Sequence, residues 1–194
     1  MRRKEKNNKK QVIISLLIAA IMVSSILGYI FGKDQTNTVE YGKYKFYAQN
    51  LMWATKINNK EITFNNLPQT VEHINVSSEI ISRMKGTLEI DSTYDSNSSY
   101  IQDIALSEYQ LELVLRSFYN IYLRKGLTTQ NEEKVPVITC NDSTTVIPVL
   151  YFKTGENETS IYQQGNCIIV EARNGIEFLN AKDRIVYGVL GIIK

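Results

Sequence analysis

The chain has few of the residues that build common catalytic and metal sites. Its 194 residues include one histidine, two cysteines, one tryptophan and three prolines. A single histidine excludes metal sites built from several imidazoles, and a Ser-His-Asp triad would depend on His73 alone. The sequence also lacks G-x-G-x-x-G, Walker A, H-E-x-x-H and calcium-loop patterns. We therefore predict no cofactor, no metal and no enzymatic activity.

Charge is missing altogether from Gln11–Gly32, a run of 22 residues, whereas Met1–Lys10 holds six Lys or Arg and one Glu. An apolar run of about 20 residues forms a helix of roughly 30 Å, which matches a hydrocarbon core. Basic residues on one flank favour a cytoplasmic N-terminus. We therefore predict a transmembrane helix over 11–32 that binds the lipid bilayer, in a single-pass cell-membrane protein. A cleaved secretory signal and a pilin-type leader are the alternatives.

Small residues recur every fourth position along this run, at Ala20, Ser24, Gly28 and Gly32. Spacing of four keeps them near one face, where two helices can approach closely. They are the predicted helix–helix contact, and they predict self-association of the chain.

Once the basic start is set apart, the rest of the chain carries 16 basic and 19 acidic residues, and this excess of acid excludes a nucleic-acid partner. The predicted organisation is a cytoplasmic basic tail over 1–10, the transmembrane helix over 11–32, a linker over 33–38 and an extracytoplasmic domain over 39–194. That last length suits one core.

Periodicity within 39–194 predicts the α+β class: after the transmembrane helix, one mixed, mainly antiparallel sheet with two or more packed helices. Apolar residues at helical spacing predict helices over Tyr100–Tyr122 and Ile176–Ile193, and over part of Leu67–Lys85. Alternation and apolar runs predict the strands, with a hairpin around Asn58-Asn59-Lys60. These strands are Glu40–Tyr47, Met52–Ile57, Glu61–Phe64, Thr87–Tyr94, Ile121–Leu127, Val135–Thr139, Val146–Lys153 and Thr159–Ala172.

The two cysteines, Cys140 and Cys167, both follow the apolar run. Outside a reducing cytosol they would pair as a disulfide, and two buried free thiols are the alternative. Four N-x-S/T sequons are candidate glycosylation sites, at Asn75, Asn97, Asn141 and Asn157.

One set of motifs points to a serine hydrolase. Ser82-Arg83-Met84-Lys85 fits S-x-x-K and Lys153-Thr154-Gly155 fits K-T-G, the pattern of penicillin-recognising enzymes. The third motif, S-D-N, is absent, and the spacing of about 70 residues leaves no room for the helical subdomain that such enzymes place there. The adjacent Asp183 and Arg184 are interpreted as a surface or interhelical ion pair.

The C-terminal third combines the segments Val137–Phe152, Gly165–Glu171 and Ala181–Gly188. They contain a T-C pair, an N-C-I run and a D-R-hydrophobic-Y pattern. This set resembles an uncharacterised family of archaeal single-pass membrane-anchored proteins. The resemblance implies a membrane location and a bridge between Cys140 and Cys167, and it implies no activity.

These observations support three hypotheses about function. The first is an envelope interaction or structural module that contacts another protein, a glycan or a surface layer. The second is a subunit of an envelope, pilus or secretion assembly that uses the N-terminal helix. The third is a hydrolase with a Ser–Lys pair.

Overall fold

The computed structural model describes residues 8–32, 37–130 and 134–194. The chain divides into two units, Met1–Asn37 and Thr38–Lys194, and each is described by itself. Most of the predicted basic tail, 1–7, and most of the predicted linker, 33–36, lie outside the described residues.

The first unit contains helix α1, Asn8–Gly32. Its large apolar side chains from Val12 to Leu27 are between 45% and 66% exposed. Within the described part of the chain, no helix has the length and apolar character needed to cross a membrane. This finding contradicts the predicted transmembrane helix over 11–32, and with it the predicted single-pass location with an extracytoplasmic domain.

The second unit is α+β. Its helices and strands, in chain order, are β1 Thr38–Tyr41, β2 Tyr44–Gln49, β3 Met52–Ile57, β4 Lys60–Phe64, α2 Pro68–Val71, α3 Ser78–Lys85, β5 Glu89–Tyr94, α4 Ile101–Tyr119, β6 Tyr122–Leu127, β7 Val149–Thr154, β8 Ser160–Gln164, β9 Cys167–Ala172 and α5 Gly175–Val189. A short 3-10 helix, Cys140–Asp142, lies between β6 and β7.

Strands β1 to β4 form an antiparallel meander in chain order. The turn between β3 and β4 places Asn58 at φ 49° and Asn59 at φ 62°. Left-handed conformations at both central residues are those of the type I′ hairpin turn, which asparagine tolerates better than most residues. The predicted hairpin is therefore confirmed.

The other five strands form a second sheet in the order β6-β5-β7-β9-β8. Strands β6, β5, β7 and β9 run parallel, and β8 is antiparallel to β9. The prediction of a single, mainly antiparallel sheet is therefore wrong. The physical reason is the connection through α4, because a helix of 19 residues between two strands is long enough to bring the second strand back in parallel.

The larger sheet is buried on both faces, as parallel strands commonly are. Leu150 and Ile168 belong to the main core with α4 and α5. Their neighbours in sequence, Val149 and Ile169, point to the opposite face and pack with Ile138. The helices therefore lie on one face of this sheet, and the segment before β7 covers part of the other.

The smaller sheet packs on the far side of α5 through aromatic rings. Phe64 stacks on Tyr187 with ring centroids 4.3 Å apart, and Phe46 meets the same ring edge-on at 6.0 Å. The Tyr187 hydroxyl donates to the carbonyl oxygen of Asn66 just after β4. The second unit therefore has three layers, with helices between two sheets.

Three predicted strands differ in detail. Glu40–Tyr47 and Thr159–Ala172 each prove to be a hairpin, because Gly42 at φ 57° and Gly165 at φ 60° turn the chain back. The predicted strand Val135–Thr139 is reduced to one isolated bridge, between Leu127 and Val137.

Candidate functional site

A groove of about 340 Å³ lies between strand β4 and helix α4, and we call it the β4–α4 groove. Its volume falls within the range of about 300–1,000 Å³ that is usual for ligand pockets. It is lined by Lys60, Glu61, Ile62, Thr63, Gln110, Leu113, Val114, Ser117 and Phe118.

The groove follows the edge of the smaller sheet. Strand β4 pairs with β3 and is the last strand of its sheet. Four successive β4 residues, Lys60 to Thr63, line the groove, although alternate residues of a strand point to opposite faces. The groove therefore runs along the backbone edge of β4, where a strand offers unpaired N–H and C=O groups.

Apolar side chains form the floor and one wall of the groove. Ile62 is 7% exposed and Val114 is 6% exposed, so both belong to the core below. Leu113 stands on the α4 wall and is 48% exposed. This surface suits an apolar group that is inserted from solvent.

The polar groups of the groove differ in whether they have partners. The Lys60 Nζ atom donates to the carbonyl oxygen of Ser117 and lies 5.2 Å from the centroid of the Phe118 ring. Glu61 accepts a hydrogen bond from Tyr47, and this bond raises the pKa of Tyr47 to about 12. The Oε1 atom of Gln110 is buried and has no hydrogen-bond partner. Among the side chains that line the groove, Gln110 therefore has a buried acceptor without a partner, and the two charged side chains are already engaged.

This arrangement suits binding. A carbonyl oxygen without a partner costs free energy until a donor reaches it. The free edge of β4 offers the hydrogen bonds that an extended backbone makes. Over the residues that the structure describes, no group of three His, Cys, Asp or Glu side chains is placed to hold a metal ion.

The predicted disulfide is present, between Cys140 and Cys167, with Cα atoms 5.2 Å apart. Cys140 begins the 3-10 helix and Cys167 begins β9. The bond therefore ties the segment before β7 to the face of the sheet that this segment covers.

The other predicted site residues do not converge. The sequon residues Asn75, Asn97, Asn141 and Asn157 are all exposed and lie far apart in the sequence; Asn141 is in the 3-10 helix and the other three are in loops. Ser24 Oγ donates to the Ala20 carbonyl oxygen at 2.7 Å within α1. The other two members of that predicted contact, Gly28 and Gly32, lie where only the backbone of α1 is described.

The hydrolase motifs are not brought together as a catalytic pair. The Lys85 Nζ atom lies 5.2 Å from the ring centroid of Tyr119. Lys153 Nζ lies 3.4 Å from a carboxylate oxygen of Glu171. Ser82 lies on the exposed side of α3. Each lysine thus has a structural partner other than Ser82.

The interpretation of Asp183 and Arg184 as an ion pair needs correction. Asp183 pairs instead with Lys182, and all three residues are at most 4% exposed. They lie on α5 between the two sheets, which is why charges that look like surface residues in the sequence are buried.

Sequence reasoning did not find the β4–α4 groove, because its two sides are about 50 residues apart in the chain. One signal was available: Leu113 is an apolar residue of α4 outside its core stripe, and it is 48% exposed. Comparison with known proteins returns no family model, no curated protein and no solved structure that matches this chain.

Proposed function

We propose that the unit Thr38–Lys194 is a protein-interaction module that binds an extended peptide segment in the β4–α4 groove. The observation that carries this proposal is the free edge of β4, which lines the groove over four successive residues. A peptide laid along this edge becomes a fifth strand of the smaller sheet.

The side chains around the edge support an extended peptide as the ligand. Successive side chains of an added strand point alternately to the two faces of the sheet. On the α4 side, an apolar peptide side chain meets Leu113 and the floor formed by Ile62 and Val114. A peptide donor N–H or hydroxyl within reach of Gln110 Oε1 satisfies that buried acceptor.

A binding role also fits the polar groups of the groove. Lys60 is bonded to Ser117 and joins β4 to α4, and Glu61 is bonded to Tyr47 within the smaller sheet, so neither side chain stands free as a catalytic acid or base. Affinity then comes from main-chain hydrogen bonds and one apolar contact, which favours recognition of a short motif over catalysis.

The test is selection of binders from a displayed library of random linear peptides on the full chain. We expect enriched peptides to share an apolar residue flanked by extended, β-favouring sequence. Hydrogen exchange measured with a selected peptide bound should slow at those amides of Lys60–Thr63 that point away from β3.

Leu113→Asp tests the site, because it places a carboxylate on the apolar wall while the parent side chain is already 48% exposed. It should weaken peptide binding about tenfold or more. Leu106→Asp is the matched control, on the same helix, 41% exposed and outside the groove lining, and it should leave binding unchanged. Peptides that bind both variants equally, or that slow exchange only elsewhere, would overturn the proposal, as would a library that yields no binder.

A further inference from the structure

A second cavity lies at the end of helix α5, where Arg184 is buried without an anionic partner. Arg184 is 4% exposed. Its Nε atom donates to the carbonyl oxygen of Ile74 at 2.9 Å, and its Nη1 atom is buried with no hydrogen-bond partner. No carboxylate within the described ranges lies at ion-pair distance from it.

An unpartnered guanidinium group in the interior is costly. Arginine remains protonated in proteins, so it cannot escape the cost by losing its charge. Burial lowers the pKa of Arg184, which is the direction expected for a cation without a counter-ion. Buried charges are normally paired, and this one has a free donor instead.

Arg184 lines a cavity of about 230 Å³, which we call the Arg184 cavity. Arg184 and Lys194 are the basic residues of its lining, and no acidic side chain takes part. Ser78 and Ser82 add two hydroxyl groups from one face of α3. Both serines are exposed, so the cavity opens to solvent.

Gly188 lets Ile81 and the guanidinium group of Arg184 pack closely against the backbone of α5. A Cβ atom at Gly188 would lie 2.7 Å from Ile81 Cδ1 and 3.3 Å from Arg184 Nη1. A larger residue at this position would therefore have to displace Ile81 and would crowd the free donor.

We propose that the Arg184 cavity binds a small oxyanion, the carboxylate or phosphate group of a solute, through Arg184 Nη1 with the hydroxyl groups of Ser78 and Ser82. An oxyanion supplies the missing acceptor for Nη1 in a charge-assisted hydrogen bond. It also pairs the buried positive charge, and the serine hydroxyls donate to its remaining oxygens. This site is separate from the β4–α4 groove, and neither proposal depends on the other.

The test follows the side-chain Nε–Hε signal of Arg184 by NMR in the ¹⁵N-labelled full chain. The hydrogen bond to Ile74 holds this N–H in place, so the signal reports the guanidinium environment. Sodium phosphate and sodium acetate are titrated separately at constant ionic strength maintained with sodium chloride. We expect a saturable shift with phosphate or acetate and none with chloride alone, and the two titrations distinguish the ligand class.

Two variants, Ser82→Asp and Gly188→Ala, block the cavity while keeping Arg184. Ser82→Asp supplies a carboxylate from within the chain and should weaken anion binding about tenfold or more. Ser82→Asn matches the shape of that aspartate without its charge and should weaken binding less than Ser82→Asp does, so the difference between the two variants reports the effect of the charge. Gly188→Ala narrows the space beside Nη1 and should also weaken binding, which keeps the test decisive if Ser82→Asp does not fold.

A shift of the Arg184 Nε–Hε signal that does not saturate, and that chloride reproduces, would overturn the proposal, because water alone would then occupy the cavity. Equal saturable binding by the parent chain, Ser82→Asp and Gly188→Ala would overturn it too, because the anion would then be bound elsewhere.

Discussion

The carboxyl group of Glu108 accepts a hydrogen bond from the hydroxyl group of Ser92 inside the core, where helix α4 packs on strand β5. Glu108 is 2% exposed and Ser92 is fully buried. Burial raises the pKa of Glu108 from 4.5 to about 7, with a smaller opposing effect from the Ser92 bond and from Lys125, while Glu112 adds to the rise. The folded chain therefore holds a proton here at pH values where the unfolded chain has released it.

The protonation of Glu108 in the folded chain predicts how stability depends on pH. The contribution of Glu108 to the free energy of unfolding is fully present below about pH 4.5 and is lost as the pH rises to about 7. Glu108→Gln keeps an acceptor for Ser92 and removes the titration. Between pH 5 and pH 8, we expect the free energy of unfolding to fall by about 2 kcal/mol more in the parent chain than in Glu108→Gln. Urea unfolding of both proteins at the two pH values measures this difference.

Glu112→Gln is the control for this prediction, because Glu112 lies one helical turn away and pairs with Lys125 at 2.8 Å nearer the surface. It should keep most of the pH dependence of the parent chain, because Glu112 is the smallest of the causes that shift the pKa of Glu108. Equal pH dependence in Glu108→Gln and the parent chain would show that Glu108 is ionised in the folded state.

Local patterns in the sequence predicted much of the helical and hairpin structure. The apolar stripe of Tyr100–Tyr122 appears as α4, and the Asn58-Asn59 pair forms the turn between β3 and β4. These features depend on neighbours within one helical turn or one hairpin. The pairing of β5 with β7 joins strands about 58 residues apart, and no local pattern specifies it.

The candidate sites were harder to predict for the same reason. Ser82 was noticed for its spacing to Lys85, yet the cavity that it lines depends on Arg184, about 100 residues later. Charge was also a misleading guide: the sequence suggested a surface or interhelical ion pair of Asp183 and Arg184, and only the packing of two sheets around the helices buries both residues.

The disulfide predicts a specific loss of stability. The bond between Cys140 and Cys167 closes a loop with a sequence separation of 27. Loop-closure entropy for this length corresponds to about 3–4 kcal/mol in the chain-entropy model. The double variant Cys140→Ala/Cys167→Ala should therefore lower the free energy of unfolding by about this amount, as measured by urea unfolding.

Reduction of the parent chain is the matched control for that variant, because it breaks the same bond without removing the sulfur atoms. It should destabilise the parent chain by a similar amount and leave the double variant unaffected. Two thiols that react with an alkylating reagent in the unreduced native protein would refute the bond itself.

The last prediction concerns the buried pair of Lys182 and Asp183 on α5. Lys182 is 1% exposed and Asp183 is 0% exposed. Asp183 accepts hydrogen bonds from Lys182 Nζ and, at 2.8 Å, from the backbone N–H of Asn66, and Lys182 Nζ also donates to Asn65 Oδ1 at 3.1 Å. Burial lowers the pKa of Lys182 and raises the pKa of Asp183, and in each case the partner opposes the change.

Removal of one partner leaves the other charge buried and uncompensated. Asp183→Asn and Lys182→Met should therefore each lower the free energy of unfolding by about 3–5 kcal/mol. The double variant leaves no buried charge at this position, so it should lose several kcal/mol less than the sum of the two single losses. Urea unfolding of the four proteins measures this coupling. Additive losses would mean that the two charges do not stabilise each other.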